Sequence, residues 1–160
     1  MTELELKKHN VFLDIAENIS LFSTCASRKV GAIYVKDGRI LSTGYNGVPS
    51  GHIHCNEIFN SNSPDYKRSK HTEWSNIHEI HAEMNGIIYA AKNGISLKNS
   101  VLYCTISPCH ECAKNLINLN IKKIYFRNYY DGINVNNSNL ENYLKESNIE
   151  LIHIIKDYII

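Results

Sequence analysis

Four residues in two short motifs carry the clearest chemistry in this chain. His81 and Glu83 belong to a His-Ala-Glu run, and Cys109 and Cys112 belong to a Pro-Cys-His-Glu-Cys run. One imidazole and two thiolates are typical zinc ligands, and three protein ligands leave the fourth tetrahedral position open for water, as in catalytic sites. The Glu83 carboxylate can accept a proton from such a water. The four residues therefore predict a catalytic zinc centre in which Glu83 is the general base.

Both motifs fall where helices are predicted to begin. The spacing of apolar residues predicts one helix over residues 81–93, ended by Gly94, and Ser107-Pro108 predicts the N-cap and first position of another. Cys109 and Cys112, three residues apart, then share one helix face. The positive end of the helix dipole favours the thiolate form of both. This placement gives a physical reason for the spacing of the ligands.

Two simpler interpretations compete with catalysis: a structural zinc knuckle, and a Cys-x-x-Cys turn with an unrelated histidine. A Cys-x-x-Cys motif alone would not separate these from a catalytic site. The combination of His-x-Glu with Pro-Cys-x-x-Cys, however, is similar to the pattern of zinc-dependent nucleobase deaminases. The joint occurrence of the two motifs favours the catalytic interpretation.

The remaining pattern predicts an α/β fold. The Asp37-Gly38 pair between two apolar runs indicates a β-hairpin. Residues 46–75 are polar and irregular, which predicts a long loop that is functional or tethered. Helices and strands alternate after residue 81, which predicts a mixed sheet with helices on both faces. The other predicted elements are helices over 4–19 and 139–146 and strands over 30–35, 39–43, 100–106, 121–127 and 149–155.

Length, charge and cysteine content restrict the function. The chain has 160 residues and a net charge of +1, which predicts a single domain over residues 1–160. Nucleic-acid binding normally needs a clustered basic face, so no nucleic-acid partner is expected. The sequence lacks an apolar run typical of a secretory signal or a membrane span. The odd count of five cysteines, two of them in a ligand motif, favours reduced thiols and a cytoplasmic location.

Four segments of the chain resemble the deoxycytidylate deaminase family: residues 25–32, 44–51, 81–85 and 107–109. The likeness extends from about Cys25 to Tyr130, and the Gly-Tyr-Asn-Gly-x-Pro-x-Gly run at 44–51 is its most discriminating part. The resemblance implies a cytidine-deaminase-like three-layer α/β/α sandwich with a five-stranded mixed sheet. It also implies hydrolysis of dCMP to dUMP and ammonia, which supplies dUMP for dTMP synthesis.

The same resemblance implies assembly and regulation. Family likeness leads us to expect a homohexamer that dCTP activates and dTTP inhibits. We expect Mg²⁺ to accompany these nucleoside triphosphate effectors. The sequence alone does not reveal the residues of the subunit interface or of the effector site.

Three residues are predicted to contact the substrate. The amide of Asn46 can donate and accept hydrogen bonds, which suits a sugar hydroxyl, although a turn residue before Gly47 is the simpler interpretation. Arg28 can hold a phosphate through two hydrogen bonds, whereas a solvated surface arginine is the alternative. Tyr130 follows the strand predicted over 121–127 and could contact the substrate, whereas a chance placement among the 10 tyrosines of the chain is the alternative.

A second zinc site is predicted in the segment that precedes the 81–93 helix. Cys25, Cys55 and His71, with Glu79 or His78 as fourth ligand, resemble the ligands of a structural zinc that some family members carry. A polar stretch of about 30 residues buries too little apolar surface to order itself, so a metal tether would explain its persistence. The alternative is two buried free cysteines and an exposed histidine.

Other functions remain open at this stage. A deaminase of the same fold could act on dCTP, on the nucleoside or on a tRNA base, and a non-catalytic zinc protein could sense nucleotides. Two residues depart from the family pattern: Gly86 replaces a usual alanine, and Cys104 replaces an apolar residue. Glycine within a helix costs about 1 kcal/mol relative to alanine, unless it makes room for a neighbour. These departures leave substrate preference undecided.

Overall fold

The structure is a computed structural model that describes residues 1–131 and 137–156. The domain predicted over 1–160 therefore includes two short stretches outside the described residues. Among the described helices, none is long and apolar enough to cross a membrane. The elements in chain order are α1 (Glu3–Ser20), β1 (Gly31–Lys36), β2 (Arg39–Tyr45), α2 (Cys55–Ile58), α3 (Arg68–His78), α4 (Ala82–Lys92), β3 (Val101–Ile106), α5 (His110–Asn118), β4 (Lys123–Asn128), α6 (Asn137–Glu146) and β5 (Glu150–His153).

The five strands form one mixed sheet of order β2-β1-β3-β4-β5. Strand β1 pairs antiparallel with β2 and with β3, whereas β3, β4 and β5 run parallel. Asp37 and Gly38 both have positive φ values, 50° and 75°, as the predicted hairpin turn requires. The parallel half of the sheet is joined through α5 and α6, which agrees with the predicted alternation of helix and strand.

Side chains alternate between the two faces of the sheet. On one face, Ile33 of β1 packs in a cluster with Phe12, Leu13 and Ala16 of α1. On the other, Tyr34 packs in a cluster that α4, α5 and α6 complete. The period of two along β1 thus separates two apolar layers. The predicted three-layer α/β/α sandwich is confirmed.

Two local predictions were wrong. The segment 46–75 is not one irregular loop, because α2 lies within it and α3 begins within it. Few apolar residues mark α3, so hydrophobic periodicity could not reveal it. The N-cap of α5 is Cys109 rather than Ser107, because Ser107 is held elsewhere: its N–H donates to the carbonyl of Asn128 and its hydroxyl accepts from the N–H of Tyr130.

Helix α4 sits against β2 more closely than a side chain would allow. A Cβ on Gly44 would lie 2.1 Å from the carbonyl oxygen of Ala82 and 2.4 Å from the amide nitrogen of Gly86. A Cβ on Gly86 would in turn lie 2.6 Å from the ring of the fully buried Tyr34. Both glycines therefore provide space for the contact that places the first turn of α4. This contact explains why glycine replaces alanine at position 86.

We expect Gly44→Ala to lower the free energy of unfolding by about 1–3 kcal/mol, since the added methyl group meets fixed backbone. Urea unfolding monitored by circular dichroism measures the change. Gly47→Ala is the matched control, because a Cβ there would have no heavy atom within 4 Å. The control should differ from the parent protein by less than about 0.5 kcal/mol. Equal stability of the two variants would contradict the close-contact interpretation.

Candidate active site

The N-caps of two helices bring three ligand atoms together. His81 is the N-cap of α4 and Cys109 is the N-cap of α5, while Cys112 lies in the first turn of α5. The Nδ1 atom of His81 lies 3.4 Å from the Sγ atom of Cys109 and 3.4 Å from that of Cys112. Bonds of about 2.3 Å to sulfur and 2.0 Å to nitrogen would separate these atoms by about 3.5 Å around a tetrahedral zinc. The donor set therefore fits a zinc ion.

The protonation of these ligands is strongly coupled. The hydrogen bond with Cys112 lowers the pKa of Cys109 to about 4, and the same contact together with burial raises the pKa of Cys112. The hydrogen bond with Cys109 raises the pKa of His81 to about 9. Metal binding requires all three groups in their deprotonated forms. The three groups share protons through their hydrogen bonds. A divalent cation bound at the point where they converge would replace those protons.

Glu83 lies beside this cluster in the first turn of α4 and is buried. Burial raises the pKa of its carboxyl above the usual value, which brings it nearer to the range suited to proton transfer at neutral pH. The Tyr34 hydroxyl donates a hydrogen bond of 2.9 Å to the Glu83 backbone carbonyl. Tyr34 thereby anchors the turn that carries Glu83.

One pocket is lined by His81 and Cys109 of the ligand cluster and by all three predicted substrate residues. It is lined by His81 and Glu83 together with Arg28, Asn46 and Tyr130. The structure thus brings these five residues together from four separate chain segments, as the family resemblance implies. Their contact with a substrate stays a prediction.

Asn46 fixes the backbone at the pocket wall. Its Oδ1 accepts a hydrogen bond of 2.8 Å from the Val30 N–H, and its Nδ2 donates one of 2.9 Å to the Arg28 carbonyl. An amide can form about four hydrogen bonds, so these two leave capacity for a ligand. Asn46 therefore positions Arg28 whether or not it also contacts a sugar.

Arg28 and Tyr130 contact each other. The Cζ atom of Arg28 lies 5.9 Å from the centroid of the Tyr130 ring, within the range of a cation–π contact. Arg28 also forms an ion pair with Asp131. The Tyr130 N–H donates a hydrogen bond of 2.8 Å to Ser107 Oγ, which ties the chain after β4 to the start of α5.

A second cluster of ligand atoms borders the same pocket. Cys25, Cys55, His71 and Glu79 each offer one ligand atom, and these atoms all lie within 4.8 Å of one another. The Nε2 atom of His71 lies 3.5 Å from the Cys25 sulfur and 3.2 Å from the Cys55 sulfur. His71 is buried, so the exposed histidine of the alternative interpretation was wrong.

The fourth position of this cluster is occupied by Glu79. Among the described residues, the Oε1 atom of Glu79 is buried and has no hydrogen-bond partner. A buried carboxylate oxygen without a partner is costly unless a cation balances it. His78, the alternative fourth ligand, is exposed and stacks on Trp74 with ring centroids 4.7 Å apart. The donor set therefore fits a closed, four-ligand zinc site that includes Glu79.

Three residues near the pocket were missed from the sequence. Ser107 was interpreted as a helix cap, although its hydroxyl holds Tyr130. Arg68 lines the pocket, and it lies 3.7 Å from the Asp131 carboxylate. Arg68 and His71, three residues apart, share a face of α3, but this relation is not visible in the sequence because apolar spacing does not reveal α3. Asp131 had no signal beyond its position after Tyr130.

The profile of the cytidine and deoxycytidylate deaminase zinc-binding region matches residues 6–128. The chain belongs to the cytidine and deoxycytidylate deaminase family. It is a deaminase, as the resemblance of its motifs implied. The deoxycytidylate deaminase of Enterobacteria phage T2 is 35% identical to it, and the alignment covers 93% of each chain.

Solved structures agree with this membership. The dCMP deaminase of the cyanophage S-TIM5, determined in complex with dCMP and dUMP, has a TM-score of 0.73 to this family member and is 34% identical. The match covers 96% of the present chain and 99% of the phage chain. A probable deoxycytidylate deaminase of Caenorhabditis elegans is 40% identical over 78% of the chain and 59% of its own length.

Proposed function

We propose that this protein hydrolyses dCMP to dUMP and ammonia, as the named relatives suggest. The observation that carries the proposal is the placement of Glu83 beside the His81, Cys109 and Cys112 cluster, in a pocket that Arg28 also lines. A cytosine ring needs a water nucleophile and a proton carrier at the base of the pocket. A monophosphate needs a cation elsewhere in it. The same pocket offers both.

The residues of the site have two roles, metal binding and proton transfer. His81, Cys109 and Cys112 would hold a zinc ion, which when bound supplies the acidification of a water molecule. Glu83 takes a proton from the attacking water, and the oxygen adds to C4 of the cytosine ring. Glu83 delivers that proton to N3 and assists the departure of ammonia. Its burial excludes bulk water from these proton transfers.

We assign a structural role to the second cluster. Cys25, Cys55, His71 and Glu79 supply four ligands and leave no open position for water, as in structural zinc sites. A zinc ion there would tie the chain before β1 to α2, to α3 and to Glu79, the C-cap residue of α3. We assign no catalytic role to Mg²⁺ and propose it only as the cation that binds together with the triphosphate effectors.

The proposal extends to features that the family resemblance implies. We propose a single domain over 1–160, a cytoplasmic location and a homohexamer regulated by dCTP and dTTP. The oligomer is testable by light scattering, and regulation by dCMP kinetics with each effector added.

The experiment that tests the proposed function is a comparison of substrates. Ammonia release by the purified zinc-loaded protein is measured with dCMP, dCTP, deoxycytidine and an adenosine-containing RNA. We expect kcat/KM for dCMP to exceed each of the others by at least about tenfold, because the others lack the monophosphate or the cytosine ring. Preferred turnover of dCTP would replace the monophosphate assignment. Binding of nucleotides without any ammonia release would support the non-catalytic alternative.

A further inference from the structure

A carboxylate joins the two arginines of the pocket. Arg28 and Arg68 both line the pocket, and both approach the same atom, Oδ1 of Asp131. Arg28 forms an ion pair with it, and a terminal nitrogen of Arg68 lies 3.7 Å away. Two cations therefore converge on one anionic group beside the proposed active site.

Three separate chain segments create this convergence. Arg28 lies just before β1, Arg68 is the first residue of α3, and Asp131 lies three residues after β4. Arg28 is held by its contact with the Tyr130 ring and, through its carbonyl, by Asn46. The side chain of Arg28 is 25% exposed, that of Arg68 is 56% exposed and that of Asp131 is 67% exposed. The carboxylate is thus the member of the trio that can leave most easily.

A phosphate monoester matches the arginine pair better than a carboxylate does. Its charge near neutral pH is about −1.5 to −2, and it has three acceptor oxygens. Arginine forms paired hydrogen bonds with such a group. Asp131 supplies one negative charge, and a single oxygen of it faces both guanidinium groups. An incoming phosphate can therefore displace Asp131, whereas a neutral nucleoside has no group that would.

We propose that Asp131 is an internal competitor for the substrate phosphate, and that Arg68 joins Arg28 in binding that phosphate. The inference rests on the proposed function, because it assumes a phosphorylated cytosine substrate. Asp131 balances the two cations in the free enzyme and gives way when the phosphate arrives. The arginine pair favours substrates with a phosphate over nucleosides, and Asp131 offsets part of that preference because the phosphate must displace it.

The first test removes the competing charge. Asp131→Asn is expected to lower KM for dCMP by about two- to fivefold, the range expected from loss of an exposed ion pair. The kcat for dCMP and the kcat/KM for deoxycytidine should stay within about twofold of the parent. The inhibition constant of inorganic phosphate against dCMP should fall in parallel with KM. Asp65→Asn, an equal change of charge at an exposed residue outside the pocket lining, should leave all of these values unchanged.

The second test removes the added cation. Arg68→Gln should raise KM for dCMP about tenfold and weaken inhibition by inorganic phosphate, with kcat/KM for deoxycytidine nearly constant. Lys70→Gln, at an exposed residue of the same helix and outside the pocket lining, is its charge-matched control.

Three outcomes would contradict the proposals. If Asp131→Asn instead raises KM for dCMP, then Asp131 organises the arginines and the competitor role is wrong. Unchanged phosphate inhibition in both variants would also overturn the inference. Parent enzyme that fails to deaminate dCMP would refute the proposed function itself, which keeps the two failures distinct.

Discussion

Glu83→Ala is expected to abolish deamination while leaving the zinc content of the protein unchanged. Glu83 is buried and is the proposed proton carrier of the pocket, and the cluster of His81, Cys109 and Cys112 does not include it. Loss of general acid–base catalysis lowers rates by about 10²–10⁴-fold, and here the same carboxylate serves several proton transfers. We therefore expect at least a 10⁴-fold fall in kcat. Ammonia release and metal analysis by plasma mass spectrometry measure the two quantities.

Two variants separate chemistry from folding in this experiment. Glu83→Gln keeps the side-chain volume but cannot accept the proton, so it should be as inactive as Glu83→Ala. Glu111→Ala removes an exposed carboxylate between the two cysteine ligands and should keep near-parent activity. An active Glu83→Ala enzyme would contradict the assignment of Glu83. If Glu111→Ala were inactive at full zinc content, loss of activity would no longer distinguish Glu83 from Glu111.

Cys55→Ser is expected to remove one of two zinc ions per chain and to destabilise the segment that contains α2 and α3. That segment carries few buried apolar side chains, and Cys55 and His71 are among its buried residues. Loss of a metal is one of the few mechanisms that cost more than about 4 kcal/mol, and we expect a change of that size. Metal content and urea unfolding of the parent and variant measure the effect.

Cys104→Ser is the matched control for this prediction. Cys104 is a fully buried free cysteine of β3 that belongs to neither cluster. Its replacement should preserve two zinc ions per chain, whatever its effect on packing. A parent protein with one zinc per chain, or a Cys55→Ser variant with an unchanged metal count, would remove the second site. Such a result would leave no explanation for the buried Oε1 atom of Glu79, which has no hydrogen-bond partner among the described residues.

Short motifs and strong periodicity made much of the architecture predictable. The helix that became α1, the hairpin with Asp37-Gly38 and the helix ended by Gly94 all follow from local rules of apolar spacing and backbone conformation. The two ligand clusters were also named in advance, because His-x-Glu and Cys-x-x-Cys are local patterns and the second set came from family likeness. A motif whose functional residues lie within a few positions of one another can be identified from a single sequence.

Contacts between distant segments were less visible. Helix α3 could not be predicted because it has no apolar stripe of its own. It is ordered instead by the contacts that His71 and Trp74 make with Phe59. Ser107 was assigned to a helix cap because local preference could not reveal that the chain after β4 needs its hydroxyl. The ion pairs of Arg28 and Arg68 with Asp131 join three segments, and no spacing rule connects them. These features depend on tertiary packing.

Conversion of dCMP in water enriched in oxygen-18 is the sharpest test of hydrolytic deamination at this site. The zinc-loaded parent protein is incubated with dCMP, and the products are analysed by mass spectrometry together with an ammonia assay. We predict dUMP that carries one oxygen-18 atom at C4, one ammonia per dUMP, and no product from Glu83→Ala. Unchanged dCMP at full zinc occupancy, or product formation that does not depend on Glu83, would contradict it.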